Sequence, residues 1–542
     1  MKVFSRFAGL CSACAWLGLT LAACGHGFSA EDGWRMWLDA VSPSKERVSV
    51  NGVIGADAAC RRNLFGQGVR VANIEPGLLW NGHLLFRHVP AERLYTGVEA
   101  VPNHVDPHAT GVCGALAGDS GVYDSRNKGM GIAPRVELHS ASFYTEPDSH
   151  GAPFTHTSLV TAFRKFFGWA DVVNTSWGTV WPAQTLEYYS YLTDALCRRH
   201  PGTVFFAASG NTGNLPDEKL KGKVSTIASG FNNIAVGALG NPPAFDRLYA
   251  NSSFKPVDFI NPATNRREGV RAGVDLVAPG EGLVIPAMVP GHPERKDAAR
   301  KSAGTSLACP VAAGVGALLV QAAKEAGLKA PELDARLVKA LLLNAAAKPK
   351  DWQNGMDAST YAGNENVLLT TQALDYRYGA GGVDAGEALR LLDAGRGKAW
   401  QRATMHPGGE RVQDLGSLTR GETVTATLVW FQDCVMKGLD SLPADNVLAE
   451  QSAQKGRDPL GRPELEYRGM ADYALELWAG RPEDMKAARL VAVSDTPNNT
   501  VEHFKANIPA NGDYFLRIVF KGMTYGKAPR EGEPSVWTWS VR

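Results

Sequence analysis

Short apolar runs recur through the first half of the chain, at residues 69–74, 136–143, 172–174, 204–208 and 234–238, and each is followed within three residues by Gly, Ser, Thr or Asn. Their apolar residues are continuous rather than alternating, which is the pattern of strands covered on both faces in a parallel sheet. Between the runs lie segments with helical spacing, at 108–117, 158–167, 185–197, 306–326 and 332–347. This alternation predicts a doubly wound α/β sheet, in which sites form beyond the carboxyl ends of the strands. Past residue 395 the character changes. Runs at 423–431, 473–478, 490–493 and 514–520 are β-rich and separated by polar loops, with no strong helix between them. The tail reads as a smaller antiparallel β-sandwich.

The start of the chain follows neither pattern. Lys2 and Arg6 precede an apolar run over 7–23, followed by Leu21-Ala22-Ala23-Cys24-Gly25. A positive start and a short apolar core make a signal segment. The last five residues resemble the bacterial lipobox, which implies cleavage before Cys24 and a membrane-anchoring lipid on that cysteine. Ordinary cleavage near Ala30 and an uncleaved anchor are the other readings. Gly25 is not the Asp that holds many such proteins at an inner membrane, so an outer-membrane or cell-surface lipoprotein is expected, with a periplasmic or secreted protein as the alternative. No later stretch is expected to span a membrane. The expected organisation is a signal at 1–23, a tether at 24–50, an α/β domain at 51–395 and a β-sandwich at 396–542.

Charge and cysteines narrow the chemistry. Lys and Arg total 56 against 55 for Asp and Glu, so no bulk charge invites a nucleic acid. Of eight cysteines, Cys11 and Cys14 leave with the signal and Cys24 would carry the lipid. Cys60, Cys113, Cys197, Cys309 and Cys434 remain, an odd set at wide spacing that gives neither a disulfide framework nor a CxxC metal pattern. Cys113 and Cys309 sit among small residues and read as buried hydrophobes, not nucleophiles. No metal ligand set and no cofactor are expected. A structural calcium stays open as an alternative, but no compact Asp/Asn-rich loop assigns it a site. A monomer is expected.

The strongest chemical signal is Gly304-Thr305-Ser306-Leu307-Ala308-Cys309-Pro310, followed by more small residues. It predicts a serine in the first turn of a closely packed helix, where free N–H groups and the positive dipole end favour a developing oxyanion. For a lone serine a capping role would be the ordinary reading. A serine hydroxyl needs a base, and His108 heads a small-residue helix in Asp106-Pro107-His108-Ala109-Thr110-Gly111. The run of small residues is expected to let that helix lie against the one at Ser306. The rival, His150, is followed by Pro153 and Phe154 and reads as a structural histidine. Glu75 places a carboxylate at the tip of the first buried strand, where an acid that orients the imidazole belongs. Asn211, in Ala208-Ser209-Gly210-Asn211, follows another strand and can donate its amide to an oxyanion.

The order acid, His, Asn, Ser at 75, 108, 211 and 306, with the words around them, resembles the subtilisin (S8) family of serine peptidases. Gly131-Ile132-Ala133-Pro134, Asn174-Thr175-Ser176-Trp177-Gly178, Asp275-Leu276-Val277-Ala278-Pro279-Gly280 and Tyr378-Gly379-Ala380-Gly381-Gly382-Val383-Asp384 resemble further family segments. The resemblance spans roughly 51–395 and implies a serine endopeptidase acting through an acyl-enzyme on Ser306. It implies that an extended peptide pairs with Ser176, Trp177 and Gly178 on one side and with Ala207, Ala208, Ser209 and Gly210 on the other. Trp177 stands where a Leu is common, and reads equally as a reshaped pocket wall or a core residue. The tail resembles, more loosely, the β-sandwich appended to some bacterial subtilases, where support of the catalytic domain is the expected role.

Two departures matter. The family acid is Asp, usually followed by Thr-Gly, whereas here Glu75 is followed by Pro76-Gly77. Ala109 and Gly111 also replace the usual Gly and His. The reading is a variant triad that keeps its charge. The alternatives are an inactivated scaffold serving as a surface binding protein, and a transpeptidase or maturation protease that passes its acyl group to an amine.

Overall fold

A computed structural model describes residues 38–120, 131–147, 152–180 and 187–542. The signal segment, Cys24, most of the expected tether and His150 lie outside the described residues.

The α/β expectation holds. The elements that carry the argument are β1 (Arg70–Glu75), β2 (Leu94–Thr96), α1 (Pro107–Ala117), β3 (Glu137–Ser142), α2 (His156–Phe166), β4 (Val172–Thr175), α3 (Glu187–Arg199), β5 (Val204–Ala208), β6 (Ile234–Gly240), β7 (Leu276–Pro279), β8 (Leu283–Pro286), β9 (Ala299–Ser302), α4 (Thr305–Glu325) and α5 (Ala335–Ala345). The main sheet runs β7-β6-β5-β4-β1-β3-β2, and every pairing along that path is parallel. A short strand, Arg247–Leu248, adds to β6 antiparallel. The apolar runs became central strands because both faces are covered: β4, β5 and β6 are buried along their whole length. The strand order reverses at β1, so its carboxyl end opens a crevice between β3 and β4.

Helix α4 crosses the core behind this crevice. It is long and apolar enough to pass for a membrane span, which the sequence reading did not anticipate, but 94% of its apolar window is buried inside the protein. It packs on α1 and on the strands β4, β5, β6 and β7. Helix α1 lies against α4 as expected, but two of its glycines face a different partner. A Cβ on Gly111 or Gly114 would meet Ile285 at 2.5 Å or Pro286 at 2.2 Å, so those glycines admit β8 and not α4.

The segment at 38–50 is no free tether. Asp39–Val41 and Arg47–Ser49 pair with each other, and the first pairs with β8, in a sheet of order β9-β8-(39–41)-(47–49). Leu38 and Ala40 are fully buried there. Three-residue strands are too short to leave a period in the sequence.

The tail forms two sheets packed face to face. One is four-stranded, in the order Trp400–Met405, Glu533–Val541, Thr423–Val429, Val501–Asn507. The other is seven-stranded and built around the long strands Leu465–Ala479 and Gly512–Gly526. Trp430, Tyr473, Leu516, Phe520 and Trp537 fill the layer between them. Three features depart from the sequence reading. The hairpin Asp357–Tyr361/Asn364–Thr370 lies within the expected 51–395 domain, yet it joins the seven-stranded sheet beside Arg489–Asp495. A helix, Asp445–Lys455, interrupts the strands; it has almost no apolar stripe and so gave no signal. Finally, the sandwich is not separate: Trp400, Val429, Phe431, Val501 and Val536 belong to the same apolar core as α4 and α5.

Polar groups are buried across that junction too. Arg198 Nη1 lies 2.7 Å from Glu533 Oε1 and its Nε lies 3.4 Å from Asp433, with the Glu533 side chain 3% exposed. Arg198→Ala would leave Glu533 desolvated beside an empty guanidinium site, an expected loss of about 3–5 kcal/mol. Urea unfolding of the two proteins, compared by midpoint and slope, checks this; a shift under about 1 kcal/mol would mean water reaches the carboxylate.

Candidate active site

Glu75 ends β1 and is completely buried. Its Oε1 accepts the Ser176 N–H at 2.5 Å, and its Oε2 lies 3.5 Å from Nδ1 of His108. Among the described residues Oε2 has no hydrogen-bonding partner, so the imidazole is the group left to compensate it. The 3.5 Å separation is longer than a good hydrogen bond, and such contacts commonly tighten only when substrate is bound. The extra methylene of Glu is thus accommodated: the carboxylate stays inside the sheet edge, braced from β4.

Beneath it, Asn73 of β1 and Asn174 of β4 face each other in register. Asn174 Nδ2 donates to Asn73 Oδ1 at 2.8 Å and to Ser176 Oγ at 3.2 Å, tying the two strands together under the carboxylate.

His108 is the second residue of α1. Asp106 caps that helix, its Oδ1 accepting the His108 N–H at 2.9 Å, and Pro107 fills the first turn with a preset φ. The Asp-Pro pair is an N-cap signature legible in the sequence that the reading passed over. The imidazole side chain is 42% exposed, open toward the crevice. Burial of the ring's inner side disfavours its charged form, but the contact with Glu75 and the charges of Glu75 and Asp106 outweigh this, with Arg300 opposing, so its pKa lies above the usual histidine value. As a base His108 must be neutral. The rate should therefore rise with pH through an acid limb whose midpoint lies above about 6.5. A kcat/KM profile between pH 4 and 9 checks this, and a midpoint at or below the ordinary value would remove Glu75 as its neighbour in solution.

Ser306 is the second residue of α4, where the helix offers its N–H no internal acceptor. Pro310, one turn on, leaves the Ser306 carbonyl without its helical donor as well. Cys309, also in the first turn, donates its thiol to the Thr175 carbonyl at 3.7 Å, next to Ser176 and so next to Glu75. That contact ties the first turn of α4 to the β4 end, whose next residue, Ser176, holds the Glu75 that faces His108. Burial pushes the thiols of Cys113 and Cys309 well up, and the nearby Glu75 charge adds to it, so neither is a thiolate.

Asn211 completes the group. Its Oδ1 accepts the Thr305 N–H at 2.9 Å and the Thr305 hydroxyl at 3.2 Å, which fixes the amide with Nδ2 turned away from Thr305. Gly304 has φ +152°, and a Cβ built on it would lie 3.2 Å from Ser306 Oγ and 3.3 Å from Asn211 Nδ2. The space a side chain would take at Gly304 is therefore bounded by the hydroxyl and the amide donor together. Thr305 is a residue the sequence reading missed: fully buried, it also accepts the Gly210 N–H at 3.1 Å and locks that turn to the helix.

The expected substrate-pairing residues divide. Ala207 and Ala208 lie inside β5, paired to β4 through Ala207 and to β6 through both, and Ser209 N–H donates to Val236 O at 2.9 Å. Ser209 O and Gly210 O are taken by Ser225 N and Ser253 N, each at 2.8 Å. The backbone of 207–209 is thus already used and cannot receive a peptide, because a central strand has no free edge. Gly210 donates to Thr305 and is used likewise. Ser176 spends its N–H on Glu75, which leaves Trp177 and Gly178 as the candidate pairing segment. Trp177 is half-buried, edge-on to Phe143 at 5.0 Å and to Phe154 at 5.2 Å. It is part of an aromatic cluster.

Among the described residues no group of His, Cys, Asp or Glu is arranged to hold a metal. The geometry offers a hydroxyl at a helix start, an imidazole backed by a buried carboxylate, and an oriented amide beside the hydroxyl: the parts of acyl transfer.

The sequence profile of the subtilase family matches residues 80–381, more than half of the chain; the match takes in His108, Asn211 and Ser306 and begins beyond Glu75. No curated protein matches the chain. Similar solved structures include the prenylagaramide maturation protease PagA, 19% identical over 62% of this chain and 98% of that one at a TM-score of 0.44. Others are the Aeromonas sobria serine protease in complex with its chaperone (17%, covering 89% and 90%, TM-score 0.45) and the same organism's serine protease alone (16%, covering 96% and 99%, TM-score 0.43).

Proposed function

Since this chain belongs to the subtilase family, we propose that it is a serine endopeptidase whose triad acid is Glu75. The observation that carries the reading is the buried, otherwise unpartnered Glu75 Oε2 facing His108 Nδ1. A carboxylate in that place has little reason to stay desolvated except to hold a tautomer and to balance an imidazolium.

In the proposed reaction an extended peptide lies along Trp177 and Gly178. Ser306 Oγ attacks the scissile carbonyl while His108 takes its proton. The oxyanion forms in the space above Gly304, between the Asn211 amide and the Ser306 N–H. His108 then gives the proton to the leaving amine, and water releases the acyl group by the reverse steps. Glu75 supports His108⁺ in both halves without itself gaining a proton. The N-terminal apolar run and Cys24 support export and attachment of the domain to the cell envelope by a lipid.

The test is hydrolysis of a fluorogenic protein substrate by residues 24–542, alongside labelling with a fluorophosphonate. Turnover with label on Ser306 supports the proposal; folded protein that neither cleaves nor labels would favour a binding scaffold. Within this reading, Asn211→Ala removes one oxyanion donor and should lower kcat by about 100- to 1000-fold with little change in KM. An equal change in KM instead would mean that Asn211 binds ground-state substrate.

A further inference from the structure

Strand β9 runs into the Ser306 turn and, among the described residues, forms an open edge of its sheet, pairing only with β8. Arg300 of β9 stands directly opposite Ile285 of β8. Residues opposite one another in a sheet share a face, and Ile285 Cδ1 packs against Gly111 of α1, one turn beyond His108. The Arg300 side chain therefore rises on the α1 side of β9, beside the helix start that carries His108. It is exposed, and among the described residues it has no ion-pair partner within 4.0 Å. The nearby acid, Asp106, is engaged in capping α1. The charge of Arg300 is nonetheless felt by both Asp106 and His108.

A guanidinium at this spot with no ion-pair partner among the described residues has a chemical consequence. The imidazole must hand its proton to the departing amine, so the residues released with that amine lie on the imidazole's side of Ser306, whereas the oxyanion lies on the Asn211 side. The leaving segment thus passes the open edge of β9, whose backbone can pair with an extended strand. We propose that Arg300 is a specificity-determining residue that binds a carboxylate in the leaving segment of the substrate. A guanidinium suits this ligand because its planar donors match both carboxylate oxygens. The carboxylate can come from an Asp or Glu side chain just beyond the cut, or from a free C-terminus; the inference rests on the peptidase reading above.

The experiment digests a proteome-derived peptide library with the wild-type protein, Arg300→Gln and Arg300→Glu, and maps every cut by mass spectrometry. Because Arg300 is exposed, the substitutions should cost little stability, and circular dichroism confirms that each variant is folded. The wild type should enrich Asp and Glu at the first two positions after the cut by about two- to fivefold, the range of an exposed ion pair. Arg300→Gln should abolish that enrichment, and Arg300→Glu should replace it with Lys and Arg. If the carboxylate is a terminus, cuts near peptide ends are enriched instead and disappear when the library is C-terminally amidated. Cleavage by the wild type with neither enrichment, or an enrichment that survives Arg300→Gln, overturns the assignment while leaving the peptidase standing. Absence of any cleavage by the wild type overturns both.

Discussion

Ser306→Ala should lower kcat by about a million-fold, the scale established for a serine nucleophile of this family. The substitution removes one oxygen from a half-buried position at a helix start, and neither the core nor the helix cap depends on it, since Gly304 takes the cap position without a side chain. Folding should therefore be untouched while chemistry collapses. His108→Ala should cost about as much, and the double variant little more than either alone, because hydroxyl and imidazole act as one unit. Steady-state kinetics on the three proteins, with active-site titration to exclude contaminating protease, decides the matter. Additive losses would mean that the two residues serve different steps.

The second large effect concerns the acid. Glu75→Gln should lower kcat by about 10,000-fold. The amide can still accept the Ser176 N–H through its oxygen, as Oε1 does now at 2.5 Å. That leaves an NH2 group, in place of Oε2, facing His108 Nδ1. Two donors cannot pair, so Nδ1 gives up its hydrogen and Nε2 carries it toward Ser306, which is the wrong tautomer for a base. The contact and charge that raise the His108 pKa disappear together, so the residual activity should show an acid limb displaced to lower pH. Glu75→Asp should fall between the two proteins: it keeps the charge but draws it back by about one methylene, roughly 1.5 Å, from a contact already at 3.5 Å. An unchanged rate in Glu75→Gln would show that the imidazole does not depend on this carboxylate.

Much of this site could be read from the chain before any coordinates. Buried parallel strands announce themselves as unbroken apolar runs, and Glu75 at the end of one and Asn211 beyond the end of another are candidates because sites form there. Ser306 and His108 are candidates because small residues must follow a helix start that packs tightly. What escaped was whatever depends on partners far away in sequence. No local pattern shows that Ala207 and Ala208 are hydrogen-bonded within the sheet, or that Gly111 and Gly114 make room for β8. Nothing in the sequence around Thr305 shows that its hydroxyl joins Gly210 to Asn211. The strands at 39–41 and 47–49 are too short to carry a period, and the helix Asp445–Lys455 is too polar. The hairpin at 357–370 crosses the expected boundary because it finds its partner strand more than a hundred residues later.

The most direct test is a crystal structure of the protein after reaction with a fluorophosphonate. The account predicts phosphorus bonded to Ser306 Oγ, the phosphoryl oxygen within about 2.7–3.1 Å of Asn211 Nδ2 and the Ser306 N–H, and His108 Nδ1 drawn to within about 3 Å of Glu75 Oε2. Phosphorus on another residue, or a Glu75 carboxylate swung away from the imidazole in the adduct, would contradict it.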